Sequence, residues 1–480
     1  MSSSPRDQHI LPLHGSNPWQ LTLLLTAAAA AGGLVVAAAI PRLRDRPNRR
    51  RAEDGRDDVQ SAAPTGDASG YASAIGNTPL IELPSLVSSM NLIGGHRLFC
   101  KMECLNPGGT GKDRVASAMI LHAERTGRLP PPAVGAETTI TGDSPSRRLE
   151  VRLSLLGAVV SLPAPPSRGV VVEGTSGSTG ISLAALAAAR GHGCVIALPD
   201  DCSGDKRAVL EGMGAEVVVV PVASISNPRH YVNVAREIAR VINAQYGGDG
   251  VRAAFMDQFE NLANVTEHAR STGPEIWRQV RRAIGDSAGI DAFVMSAGTG
   301  GTLSGVTLAL RHLSPRPVRM VLADPPGSSL HGAVAYGAAY APEQAERVLR
   351  RSRADTVVEG VGLDRTTANF RAGAASADAA IRVTDQDTVD AAHALLGTEG
   401  LFVGSSSAMN VAAAMQVLRE MDAEDAGAGG KVVVTVICDV GGRHLTRFWN
   451  RDFIVGRGLR WPGDMNRKKG DGQEMGEQQL

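Results

Sequence analysis

Lys112 is the side chain best placed to do chemistry. It closes the turn Asn106-Pro107-Gly108-Gly109-Thr110-Gly111 and opens the run Asp113-Arg114-Val115-Ala116-Ser117-Ala118-Met119-Ile120, whose apolar residues recur at helical spacing. Asn-Pro starts a turn, and the glycines let backbone approach a bound group with no Cβ in the way. A cation at a helix N-terminus meets the positive end of the helix dipole. That favours the neutral amine, the form that Schiff-base chemistry needs. Taken alone, the same residues also describe a solvated lysine before an ordinary surface helix.

Two further stretches bear on the choice. Glu173-Gly174-Thr175-Ser176-Gly177-Ser178-Thr179-Gly180 stands between a predicted strand and the predicted helix 181–190. Free N–H groups and small hydroxyls converge at such a junction to cradle an anion. The apolar run 291–297 passes directly into Gly298-Thr299-Gly300-Gly301-Thr302 and a predicted helix over 303–313, a second junction of the same kind. Either loop by itself also suits a plain tight turn.

The elements that must hold these loops follow from apolar patterning. A short strand over 98–103 leads into the lysine turn, and the helix after Lys112 ends near Gly127. The β-rich runs 193–199 and 215–220 flank a helical 206–213. That is βαβ spacing, which predicts a parallel sheet with right-handed crossovers. A helix over 231–242 and a strand over 318–323 continue the alternation, so the fold class is α/β.

These segments resemble the β-replacing pyridoxal-phosphate enzymes of the cysteine synthase and cystathionine β-synthase family. The likeness runs from Ile75-Gly76-Asn77-Thr78-Pro79-Leu80 to Asp439-Val440-Gly441-Gly442-Arg443. It implies fold type II, the tryptophan-synthase-β-like fold. The cofactor would lie between two doubly wound domains with parallel-rich sheets, the smaller at about 105–255 and the larger at about 72–104 plus 256–460.

The same resemblance implies roles for individual residues. Lys112 would bind pyridoxal 5'-phosphate and act in catalysis, while Gly298, Thr299, Gly300, Gly301 and Thr302 would form the phosphate cup. Thr175, Ser176, Gly177 and Thr179 would hold the substrate carboxylate together with Gln258, and Gly360 of Glu359-Gly360-Val361-Gly362 would line the substrate entrance. Ser178 stands where the family has an asparagine that touches cofactor and substrate. Ser406, in Gly404-Ser405-Ser406-Ser407, would bond the pyridine nitrogen. A neutral hydroxyl there leaves the ring unprotonated, which suits β-elimination and disfavours transamination.

The implied reaction makes L-cysteine from O-acetylserine and sulfide. A cystathionine β-synthase-like activity, a serine or threonine dehydratase, and a catalytically silent membrane-bound binding protein are the alternatives. A homodimer is one assembly such a body allows.

Composition bounds the rest. A chain of 480 residues, 43% of them hydrophobic, accommodates two or three domains. With 49 basic and 49 acidic residues there is no global field to recruit nucleic acid. The five cysteines lack metal-ligand spacing and read as reduced intracellular thiols, so no metal site is expected.

Residues 21–40 are apolar and uncharged, long enough to cross a bilayer, with Trp19 at one edge and Arg42, Arg44, Arg46, Arg49, Arg50 and Arg51 at the other. The expectation is a single-pass transmembrane anchor with tail 1–20 beyond it, tether 41–71 disordered, and the body facing the cytosol. The mitochondrial outer membrane is the preferred site and the endoplasmic reticulum the alternative. Residues 461–480 are expected to be disordered. Finally, residues 141–168 are longer than loops usually are in a compact domain. They are expected to be a surface insertion or translated intron sequence, removable without loss of folding.

Overall fold

The computed structural model describes residues 70–132, 148–285, 289–341, 356–424 and 429–464. All of them lie in one compact unit, residues 55–480.

Two open sheets carry the body. Strands β1 (Leu80–Glu82) and β2 (Arg97–Met102) begin the larger one, and β3 (Arg148–Leu153) and β4 (Ala158–Pro163) form a separate hairpin. The smaller open sheet comprises β5 (Gly169–Gly174), β6 (Gly193–Pro199), β7 (Glu216–Val220) and β8 (Arg252–Phe255) in the order β7-β6-β5-β8. All of its pairings are parallel. Strands β9 (Ala292–Ser296), β10 (Arg319–Asp324), β11 (Ala379–Arg382) and β12 (Val432–Ile437) complete the larger sheet in the order β1-β2-β12-β9-β10-β11. Only its edge pair β1-β2 is antiparallel.

Side-chain alternation explains the unbroken apolar runs of the central strands. In β5, Val170 and Val172 enter one core while Val171 enters the core on the opposite face. In β9, Ala292 and Val294 face one core, and Phe293 and Met295 the other. A strand buried on both faces has no polar side to show. Helices supply the cover: α1 (Lys112–Arg125), α2 (Ser178–Ala189), α3 (Gly204–Gly212) and α4 (Tyr231–Tyr246) around the smaller sheet, then α5 (Ala263–Glu267), α6 (Gly273–Ile284), α7 (Gly301–Leu313) and α8 (Ser405–Glu424).

The described part of the long segment before β5 departs from expectation. Residues 148–163 form an antiparallel hairpin whose pairs run from Arg148↔Pro163 to Leu153↔Ala158. Its inner residues Leu149, Val151, Leu153, Val160 and Leu162 are at most 3% exposed and join the same core as Val170, Val172 and Ile238. Tyr246 at the end of α4 pins the outer strand, its hydroxyl accepting from Glu150 N and donating to Glu150 O, both at 2.9 Å. Residues 148–163 are therefore not a loose surface loop; they pack as a hairpin over one face of the smaller sheet. Alternation in Leu149-Glu150-Val151-Arg152-Leu153 was the signal for it.

The expected single-pass membrane localisation is corrected. Among the described residues, no helix is long and apolar enough to cross a membrane. The apolar run 21–40, the tether up to residue 69 and the tail from 465 lie outside the described residues.

Candidate active site

Loops following the carboxyl ends of parallel strands converge on a cavity of about 230 Å³, the usual position for a site in an open α/β sheet. The residues after β5 and after β9 face it, as do Lys112, Gln258, Gly360 and Ser406. Every candidate site residue from the sequence lines this cavity except Gly301. Gly301 lies behind the wall: a Cβ there would fall 2.0 Å from Asn264 Oδ1, so only glycine fits.

Lys112 is the first residue of α1. Its turn is held from three sides. Asp113 accepts from Gly108 N at 2.6 Å and from the Ser182 hydroxyl at 2.5 Å, and Arg443 donates to Gly108 O. Below the turn, buried Arg114 binds both Glu103 and Glu275. Glu275 in turn accepts from Asn77 N at 3.1 Å, and Asn106 Oδ1 accepts from Gly76 N at 2.8 Å. The early Ile75–Leu80 stretch is thus a buttress for the lysine turn.

Three lysines, two lining the cavity and one buried beneath the lysine turn, differ in what binds them. Lys101 is fully buried and donates to Glu275, Gln279 and the Thr78 carbonyl. Lys206 is paired with Glu359 across the cavity mouth. The Lys112 amine makes no hydrogen bond or ion pair among the described residues, so it alone is free to react.

The loop after β5 presents Thr175 to Thr179 at the N-terminus of α2, with Gly177 as its N-cap. Thr179 donates to Gln258 Oε1 at 2.7 Å, and Gln258 Nε2 donates to Gly174 O at 3.2 Å. Gln258 is thereby locked beside the loop. Glu173, fully buried, accepts from Gln258 N at 3.3 Å. Burial, then the nearby Asp257 carboxylate, push its carboxyl up to about 8.

The loop after β9 ends at the N-terminus of α7, where unpaired backbone N–H groups favour an anion. Gly300 takes φ +84°, and a Cβ there would lie 2.7 Å from Phe370 Cα. Thr299 Oγ1 accepts from Asn264 Nδ2 at 3.0 Å, and Thr302 Oγ1 lies 3.1 Å from His268 Nε2. His268 opens a π-helical turn, His268–Thr272, the kind of irregularity that frequents functional sites.

Among the three consecutive serines, two are committed to backbone. Ser405 Oγ accepts from Glu359 N at 3.0 Å, and Ser407 Oγ accepts from Cys438 N at 2.9 Å. Ser406 is the one that faces the cavity, beside the Cys438 thiol, which burial pushes up to about 12.

Sequence reading missed the rim. Glu359, Lys206, His444 and Asp439 meet there, with His444 Nε2 3.1 Å from Asp439 Oδ2 and Nδ1 3.5 Å from Glu359 Oε2. Burial opposes protonation of His444, but the two carboxylates outweigh it and raise the imidazole to about 9. Glu359 and Asp439 lie in stretches singled out in the sequence, but Lys206 and His444, which meet them, come from other segments with no spacing to link them.

Comparison with known proteins identifies the family. A cysteine synthase 2 of Neurospora crassa is 39% identical over 79% of this chain and 73% of its own length. A cysteine synthase 2 of Schizosaccharomyces pombe is 37% identical over 80% of this chain and 84% of its own. Among solved structures, an O-ureido-L-serine synthase superposes with a TM-score of 0.56 at 25% identity, covering 79% of this chain and 93% of that one. An O-acetylserine dependent cystathionine beta-synthase from Helicobacter pylori, at 23% identity and a TM-score of 0.58, shares the fold. Residues 71–439 match the description of a pyridoxal-phosphate dependent enzyme, and the chain belongs to that family.

Proposed function

We propose that the protein is a cysteine synthase, joining sulfide to the β-carbon of O-acetylserine with release of acetate. The observation that carries this reading is the unpaired Lys112 amine in the same cavity as two anion-binding loops. Both relatives described above are named cysteine synthase 2.

The residues present fit pyridoxal phosphate. A glycine loop with two threonine hydroxyls at a helix N-terminus suits a dianionic phosphate, Lys112 suits the aldehyde, and neutral Ser406 suits the ring nitrogen. When bound, the cofactor supplies the electron sink for chemistry at the substrate α-carbon.

The chain's own groups do the rest. Thr175, Ser176, Gly177 and Thr179, with Gln258 behind them, hold the substrate carboxylate and so fix the α-carbon relative to Lys112. Ser178 takes the position from which an amide would otherwise reach toward cofactor and substrate. The Lys112 amine removes the α-proton, and the bond from the β-carbon to the acetoxy oxygen breaks with its electron pair leaving on acetate. Sulfur then bonds the β-carbon, and Lys112 Nζ returns a proton to the α-carbon. Gly360, with no side chain, keeps the entrance open.

The test is turnover of O-acetylserine and sulfide to cysteine by the purified protein, run beside serine with homocysteine. Lys112→Ala should fold normally and lose both the visible absorbance of the lysine-linked cofactor and turnover. Cysteine formation at the wild-type rate by Lys112→Ala would remove Lys112 from the mechanism. A preference for serine and homocysteine would replace the substrate assignment.

A further inference from the structure

We infer that Asn264 is a positioning residue that makes the Thr299 hydroxyl an obligate donor toward a phosphate monoester in the Gly298–Thr302 loop. The inference rests on reading that loop as the cofactor's phosphate site.

A threonine hydroxyl has one proton to give and two lone pairs to fill. Thr299 Oγ1 accepts from Asn264 Nδ2 at 3.0 Å and from Gly301 N at 3.3 Å. Both partners are N–H groups that can only donate, so the lone pairs are taken and the proton is left for the cavity that Thr299 lines. The direction of the Asn264 amide is fixed by a second bond, because the same Nδ2 donates to Gln258 O at 3.1 Å. A flipped amide would set two oxygens against each other there. Asn264 is 1% exposed, and its Oδ1 is buried with no hydrogen-bond partner. Leaving that oxygen unpaired is costly, and the arrangement persists because the other end of the amide serves two loops at once.

His268, four residues on, applies the same logic to the second hydroxyl. Its Nε2 lies 3.1 Å from Thr302 Oγ1 and its Nδ1 2.9 Å from Thr272 Oγ1. Burial pushes the imidazole down to about 3, so it is neutral and carries a single N–H. With that proton on Nε2, Thr272 donates to Nδ1 and Thr302 keeps its own proton for the anion. On that tautomer, Asn264 within α5 and His268 just beyond its end each leave one threonine proton for the loop.

The experiment removes the cofactor and titrates it back by absorbance, with pyridoxal, which lacks the phosphate, as the parallel probe. Asn264→Asp replaces the donor by an acceptor that captures the Thr299 proton. Its affinity for pyridoxal phosphate should fall roughly ten- to a hundredfold while that for pyridoxal stays put. In a Thr299→Val background, the added N264D change should cost nothing further in phosphate preference. Losses that add would mean bare charge repulsion and overturn the inference. So would an N264D protein that keeps full phosphate preference while T299V loses it, or one that binds neither probe, which would place Asn264 in the fold rather than the loop. If T299V itself leaves the preference intact, the phosphate-site reading fails and takes the inference with it. His268 gives an independent check: H268Q, whose Nε2 still donates, should retain phosphate preference, and H268E should lose it. Equal behaviour of the two would overturn the proton assignment.

Discussion

Arg114 and Glu103 face each other as a bidentate pair, Nε to Oε2 and Nη2 to Oε1 both at 2.8 Å, with each side chain about 1% exposed. Glu275 and Lys101 complete the set, so two cations and two carboxylates balance beneath the lysine turn. Arg114→Leu would leave two buried carboxylates against one ammonium. The expected loss is about 3–5 kcal/mol of unfolding free energy in urea. Arg114→Lys should recover only part of it, because an ammonium cannot reproduce the planar fork. Full recovery by lysine would mean that charge alone, not geometry, holds the turn.

The same pair sets an acid limb. Burial works to raise the Glu103 carboxyl, but Arg114, with a hydrogen bond from Thr78, overrides it and holds the group down at about 2. A carboxyl depressed on folding contributes stability that is present above its ordinary value of about 4.5 and is lost as pH falls toward 2. Unfolding free energy measured across that window should fall in the wild type and fall less steeply in Glu103→Gln. Parallel slopes in the two proteins would assign the acid limb to other carboxylates.

Much of this architecture was legible in local sequence. The apolar runs of β5 and β9 and the Gly/Thr loops behind them are contiguous, so strand, turn and anion cradle can be read from neighbours alone. What was not legible depends on distance along the chain. Asn264 meets Thr299 across 35 residues, and Lys206 meets Glu359 across 153. Nothing local marks such pairs, although a polar pair at Asn264 and His268, four apart, is the signal a closer look at helix faces would have caught. Gly301 was read from its place in a contiguous glycine loop, and what its sequence neighbours do not show is the clearance from Asn264 that demands glycine there.

The hairpin of β3 and β4 carries an opposite forecast to the one its length suggested. Leu149 is 1% exposed in the core shared with β5 and α4. Leu149→Ala should cost about 2–5 kcal/mol, as for other buried leucines, and excising 148–163 should prevent the smaller sheet from folding stably. A shortened protein with unchanged urea midpoint and full cofactor binding would return the segment to the status of a surface insertion.

His444 should govern an alkaline limb. Its imidazole, ordinarily near 6.5, is raised to about 9 against the cost of burial by Asp439 and Glu359, with Lys206 opposing. A base raised on folding stabilises fully below 6.5 and loses that contribution as pH rises through 9. Unfolding free energy should therefore drop between about pH 6.5 and 9 in the wild type. The drop should be shallower in His444→Gln. An unchanged slope in the variant would show that His444 titrates alike in both states.

Ser178 is the sharpest local question for turnover. It is the first residue of α2 and lies on the cavity wall next to the N-cap Gly177. In the resembling enzymes an asparagine amide holds this position, with two protons and a longer reach than a hydroxyl offers. One lost charged hydrogen bond is worth roughly 1.5–3 kcal/mol, about ten- to a hundredfold in kcat/KM. On the proposed role of Thr175, Thr179 and Gln258 in holding the substrate carboxylate, the wild type should be active on O-acetylserine. Ser178→Asn should then raise kcat/KM or leave it within a few-fold, since the added amide projects into open cavity rather than packed core. The measurement is steady-state turnover with cofactor content checked by absorbance. Collapse of activity in a fully loaded Ser178→Asn protein would mean that the pocket is shaped around serine, and that its amino-acid substrate differs from O-acetylserine.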